Sequence, residues 1–194
     1  MPVPPATPGD RTARIWTVGH STRPIKEFVG LLKAHGIALL VDVRTTPYSR
    51  RNPQFNMGLL KQSLEEAGLA YRHLPSLGGR RKSRPDSPNR GWRSAGFRGY
   101  ADYMQAVPFQ DGLAELMKLA ESTRTAVMCA EAVPWRCHRQ LIADALVTRG
   151  WTVLHILGKE EAAAHSLTPF AKVNGDTLTY PAGSSSENEP GLFP

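Results

Sequence analysis

The run "IALLVDVR", residues 37–44, is apolar at consecutive positions instead of alternate ones, so both of its faces call for cover. A strand buried on both faces belongs inside a sheet with helices above and below it. The preceding stretch supplies such a helix, with Pro24 at its start, Ile25, Phe28, Leu31 and Leu32 at helical spacing, and Gly36 as a stop. Before that helix, "RIWTVGHS" reads as a short buried strand, Ile15 to Val18, ending in a Gly-His-Ser turn. The unit is strand, helix, strand.

The pattern then repeats. A loop, "TTPYSRRNPQFN", leads to a helix over roughly Met57 to Ala67 that stops at Gly68, and "LAYRHL" follows as a third strand. A helical stretch from Tyr100 to Ala120, broken at Pro108, precedes a fourth strand, "TAVMCAE". "CHRQLIADALVTRG" is a helix closed by Gly150, and "WTVLHIL" a fifth strand. The expectation is a single α/β domain over residues 15–167. It has a mainly parallel open sheet of about five strands, helices on both faces and right-handed crossovers. Residues 1–14 are expected to be a flexible arm and residues 168–194 an extended or disordered tail.

Composition narrows the partners. The net charge of +7 is concentrated between Arg80 and Arg98, where seven basic residues face one acid, Asp86. They lie in a Gly, Pro and Ser-rich insertion, residues 75–99, after the third strand, and Trp92, Phe97 and Tyr100 are interleaved with them. Such a segment suits an anionic small molecule or a nucleic acid, by backbone tracking and base stacking; a solvated loop has the same composition. No apolar run approaches the roughly 20 residues of a membrane span, and the first residues lack the apolar core of a secretory signal. A cytoplasmic protein with reduced thiols and no membrane partner is expected.

In an open parallel sheet the loops that follow strands share one edge, where such folds bind ligands. Here those loops are Gly19-His20-Ser21, Asp42 to Arg51, the "LGGRR" entry to the insertion, and "CAEAVPWRCHR". The last feeds a helix whose N-terminus favours negative charge and lowers a nearby thiol's pKa. Cys129, ending its strand, is the thiol best placed to benefit. Cys129 and Glu131 are therefore the candidates to carry chemistry, with His20 and His138 managing protons. Arg44, Arg136 and Arg139 are candidates to hold an anionic group, and Ser21, Asp42, Ser49, Arg51, Arg80 and Tyr100 complete the candidate substrate-binding set. Asp42 has a structural alternative, capping the Gly-His-Ser turn.

Other readings of the same residues stay open. Cys129 and Cys137 are also read as small buried apolar residues, as a reversible disulfide, or, with His138 and His20, as metal ligands without a paired short-spacing signature. Glu131 and His138 could merely brace a long loop. No cofactor is expected.

Four ordered motifs, "TVGHS", "LLVDVRTTPYSR", "FRGYADYM" and "CAEAVPWRCHR", closely resemble the family called domain of unknown function 488, over roughly residues 15–157. That resemblance implies a family defined by these motifs and assigns no reaction. The order "VDVR", cysteine loop, helix and "RGWTVLHILG" is also similar, more weakly, to rhodanese-like domains. It implies Cys129 as a sulfur-carrying nucleophile and Arg136 or Arg139 as the loop arginine. Six residues separate Cys129 from Arg136, the loop holds Pro134 and Trp135, and Glu131 brings a carboxylate where that family needs positive potential. The functional expectation is an enzyme with a Cys/Glu/His/Arg site acting on an anionic substrate, including nucleotide or nucleic-acid-derived ones. The alternatives are a non-catalytic nucleotide or nucleic-acid binding module and a rhodanese-like sulfur carrier.

Overall fold

In the computed structural model, residues 13–183 are described. The two-sided apolar runs are the central strands. In β1 (Arg14–Gly19) every residue after Arg14 is buried, and in β2 (Leu39–Asp42) and β4 (Thr125–Cys129) every residue is. β3 (Ala70–His73) and β5 (Thr152–Ile156) flank them in a sheet of order β3-β2-β4-β1-β5-β6. The first five are mutually parallel, as the alternation predicts, and the two-residue β6 (Ala163–Ala164) adds an antiparallel edge to β5.

The strands' alternate side chains divide the core in two. α1 (Ile25–Ala34) and α2 (Met57–Glu66) cover one face, where Phe28, Leu32, Leu60 and Leu64 pack on Trp16, Val18, Leu40 and Met128. α3 (Ala95–Tyr103), α4 (Val107–Ser122) and α5 (Arg139–Val147) cover the other, where Phe109, Leu113, Leu141 and Ile142 pack on Ile15, Val41, Val127 and Val153. Burying each of these side chains contributes about 1.5–3 kcal/mol. The helical break expected at Pro108 falls just ahead of it, between α3 and α4. Pro108 opens α4 at its first turn, where its missing N–H costs no helical bond.

Two segments without periodic signal hold each other. The insertion has no strand, yet its Ser87 Oγ and Asn89 Nδ2 donate to Asp102 at 2.6 and 2.8 Å. Beyond residue 167, where an extended or disordered tail is expected, β7 (Lys172–Asn174) and β8 (Thr177–Thr179) form a hairpin that ends on the fully buried Tyr180. Trp92 of the insertion packs against Phe97, Phe170 and Tyr180. Each segment supplies the apolar surface the other lacks, so neither shows a pattern of its own. Arg14, assigned to the N-terminal arm, already pairs with Thr152 in β1. Residues 1–12 of the expected arm and residues 184–194 of the tail lie outside the described residues. No helix among the described residues is long and apolar enough to cross a membrane.

Candidate active site

The C-terminal ends of β1, β2 and β4 meet at one cleft of about 670 Å³, a volume suited to a small molecule. Backbone hydrogen bonds stitch its floor: His20 N–H donates to Cys129 O at 3.0 Å, Ser21 N–H to Ala130 O at 2.9 Å and Val43 N–H to Met128 O at 3.0 Å. The loops after β1 and β4 are so close that a Cβ on Gly19 would lie 1.7 Å from Glu131 O. Only glycine fits there.

The cleft walls include His20, Ser21, Arg44 and Ser49 from the first two loops. Arg80 comes from the insertion, and Cys129, Glu131, Arg136, Cys137 and His138 from the cysteine loop. Asp42 and Arg139 lie directly beneath, fully or almost fully buried. Arg51 is exposed and outside the lining. Tyr100 is buried, its hydroxyl donating to Leu77 O at 2.8 Å and its ring against that of His138.

Both cysteines of the chain converge, with Sγ atoms 3.0 Å apart. Arg139 Nε donates to both, at 3.0 Å to Cys129 and 3.2 Å to Cys137, while its Nη2 donates to Glu131 O at 2.6 Å. The backbone N–H of Arg139, in the first turn of α5, donates only to Cys137 Sγ, at 3.4 Å. Burial pushes both thiols up. At Cys137 this is outweighed by the Cys129 S–H, the Arg139 charge and the helix N–H, which together hold it down at about 6. At Cys129 burial and the neighbouring negative charge prevail, and the thiol keeps its proton well above the usual range. The two sulfurs titrate as a pair, and the opposite directions of their shifts favour negative charge on Cys137 over Cys129.

Beside this pair, Asp42 grips Arg44 through a bidentate pair, Nε at 2.9 Å and Nη2 at 2.6 Å. Tyr71 Oη also donates to Asp42, and His73 Nε2 to Arg44 O, both at 2.9 Å. Asp42 therefore serves Arg44 and makes no bond to the Gly-His-Ser turn. Arg44 Nη1 donates in turn to His20 Nε2 at 3.2 Å, and His20 Nδ1–H donates to Ser21 O at 2.8 Å. Both nitrogens of His20 are thus occupied, its ring is stacked on Phe55, and burial holds its pKa at about 4. His138 differs. Its Nε2–H donates to Val43 O at 3.3 Å, burial holds it neutral with a pKa of about 4, and Nδ1 faces Gly79, where a Cβ would approach within 2.9 Å. His138 Nδ1 makes no hydrogen bond among the described residues.

The rim is cationic. Arg80 and Arg136 are exposed and make no ion pair among the described residues, and Glu131 is exposed beside them. Ser21 and Arg80 hold left-handed backbone, φ 50° and 57°, at a cost of about 1–2 kcal/mol each for residues with a Cβ. Both residues line the same cleft. Farther along the insertion, Arg84 pairs with Asp86 and Arg98 donates to Trp92 O and Arg93 O. Of Trp92, Phe97 and Tyr100, read as base-stacking platforms, Trp92 and Tyr100 are buried in the core, and Phe97 is half-buried against Trp92. Among the described residues no three His, Cys, Asp or Glu side chains are grouped to hold a metal ion.

Sequence reasoning missed a buried polar line that starts at Arg139. Its Nη1 donates to Thr17 Oγ1 at 3.4 Å, Thr17 Oγ1–H to His155 Nδ1 at 2.7 Å, His155 Nε2–H to His165 Nδ1 at 2.9 Å and His165 Nε2–H to Asp144 Oδ1 at 2.8 Å. Because an ionised carboxylate can only accept, His165 Nε2–H donates to Asp144, and with each neutral ring donating from one nitrogen and accepting at the other, the hydrogens of the line point toward Asp144. Asp144 also accepts from Thr168 N–H and Oγ1 and from Tyr180 Oη. The available signal was an aspartate on the apolar face of a helix and a histidine within an apolar strand, "LIADALV" and "TVLHIL".

No curated protein and no solved structure matches this chain. A family model described as Domain of unknown function DUF488 matches residues 24–146, from the start of α1 through α5, and so spans Asp42, Arg44, both cysteines, His138 and Arg139. The chain belongs to the DUF488 family.

Proposed function

We propose that the chain is a thiol enzyme that acts on an anionic substrate, with Cys137 as the thiolate nucleophile. The observation that carries this reading is the placement of one buried guanidinium, Arg139, against two sulfurs at the floor of an open cleft. A buried arginine so placed supports a negative charge on sulfur, and the first-turn N–H of α5 favours Cys137 as its holder. The nucleophilic role expected of Cys129 passes to its neighbour for that reason. Arg80 and Arg136 would hold the anionic group, and His138 Nδ1 would take up and return a proton. Glu131 enters through its backbone carbonyl, which fixes Arg139. A nucleotide fits the volume and charge of the cleft. A purely binding role would leave the thiol pair without a task.

Alkylation with a neutral and an anionic reagent, iodoacetamide and iodoacetate, tests the reading. Cys137→Ser is expected to abolish labelling at neutral pH, and Arg80→Ala with Arg136→Ala to slow iodoacetate by about three- to tenfold relative to iodoacetamide. Equal slowing of both reagents would remove the anion-holding role, and undiminished labelling of the Cys137→Ser variant would remove the nucleophile.

A further inference from the structure

We propose that the substrate carries its electrophile on sulfur, and that Cys137 and Cys129 act as nucleophile and resolving thiol in dithiol–disulfide exchange; this rests on the thiolate reading above. A second thiol 3.0 Å from the nucleophile is in bonding reach, since closing to the roughly 2.05 Å of an S–S bond takes a movement of about 1 Å. An acyl or glycosyl adduct on Cys137 would make no use of such a neighbour. A mixed disulfide there would be displaced by it. Arg139 Nε donates to both sulfurs at once, so the same guanidinium accompanies the negative charge whichever sulfur bears it. Both cysteines of the chain are committed to this arrangement, and both line the cleft.

The steps balance as follows. The Cys137 thiolate attacks one sulfur of an anionic disulfide; a Cys137–substrate S–S bond forms, the substrate S–S bond breaks, and its electron pair leaves on the first substrate thiolate. Cys129 then loses its proton to solvent and attacks Cys137 Sγ, forming the Cys129–Cys137 disulfide and expelling the second substrate thiolate. The substrate disulfide is reduced by two electrons to two thiols, and the protein is oxidised by the same two electrons. A dithiol reductant of the small-molecule or thioredoxin-like class returns the pair to its starting state.

The dianionic aromatic disulfide 5,5′-dithiobis(2-nitrobenzoate) is the probe. The wild-type chain is expected to release two equivalents of thionitrobenzoate and to end unlabelled, lighter by two hydrogens, whereas Cys129→Ser should release one equivalent and retain the adduct on Cys137. Wild-type protein that releases one equivalent and keeps the adduct, or that ends with an adduct on each cysteine, would overturn the resolving role while leaving the thiolate reading in place. No release from the wild type would overturn both.

Discussion

At His20, His138 and His155 the protein keeps three imidazoles neutral inside its core. Burial holds His20 and His138 at about 4 and His155 at about 3, against about 6.5 in an unfolded chain. Between those values the unfolded chain binds more protons than the folded one. The stability tied to these neutral rings is therefore fully present above about pH 6.5 and is lost progressively as the pH falls toward 4. Thermal unfolding should show a lower midpoint at pH 5 than at pH 7, and an equal or higher one at pH 5 would contradict the buried, hydrogen-bonded placement of these rings. At this scale the sequence was informative about which residues gather and less so about their roles. Topology alone brought His20, Arg44, Cys129 and His138 to one edge. It could not show that Arg44 and His20 spend their polar atoms on Asp42, Phe55 and Ser21, since those bonds depend on side-chain reach across strands. Nor could it rank two thiols separated by one helix N–H.

Asp144 joins elements that are far apart in the chain. Through it α5 is bound to the segment between His165 and Tyr180, and through His165, His155 and Thr17 to β5 and β1. Asp144→Ala strands four buried donors and should lower unfolding free energy by about 3–5 kcal/mol, whereas Tyr180→Phe removes one bond of the set and should cost about 1–2 kcal/mol. Urea denaturation measures both. Equal, small losses would mean that the carboxylate does not bind these elements together. The elements themselves were largely legible: the five parallel strands and the helices between them follow from two-sided apolar runs and glycine stops. The β7–β8 hairpin was not. Its strands are three residues long and mostly exposed, and what holds it is Tyr180 seated beside Trp92, a contact between two segments that each read as irregular.

For the whole molecule, the fold supplies the site's floor and irregular chain its rim. Sheet order places β1 between β4 and β5 and β4 between β2 and β1, so the loops after β1, β2 and β4 are adjacent on one edge without any helix intervening. The basic insertion brings Arg80 to that edge, and the anchoring of its later residues on Asp102 and Tyr180 keeps the entry in place. Everything converges on one electrostatic claim, that Arg139 and the start of α5 favour a thiolate at Cys137 over Cys129. The pH dependence of Cys137 alkylation by iodoacetamide, followed by mass spectrometry on the reduced chain, tests it most directly. The rate should reach half its plateau near pH 6, and Arg139→Lys, which cannot donate to both sulfurs from one planar group, should move that midpoint upward. A wild-type midpoint at about 8.5 or above, the range of an ordinary cysteine, would contradict the claim.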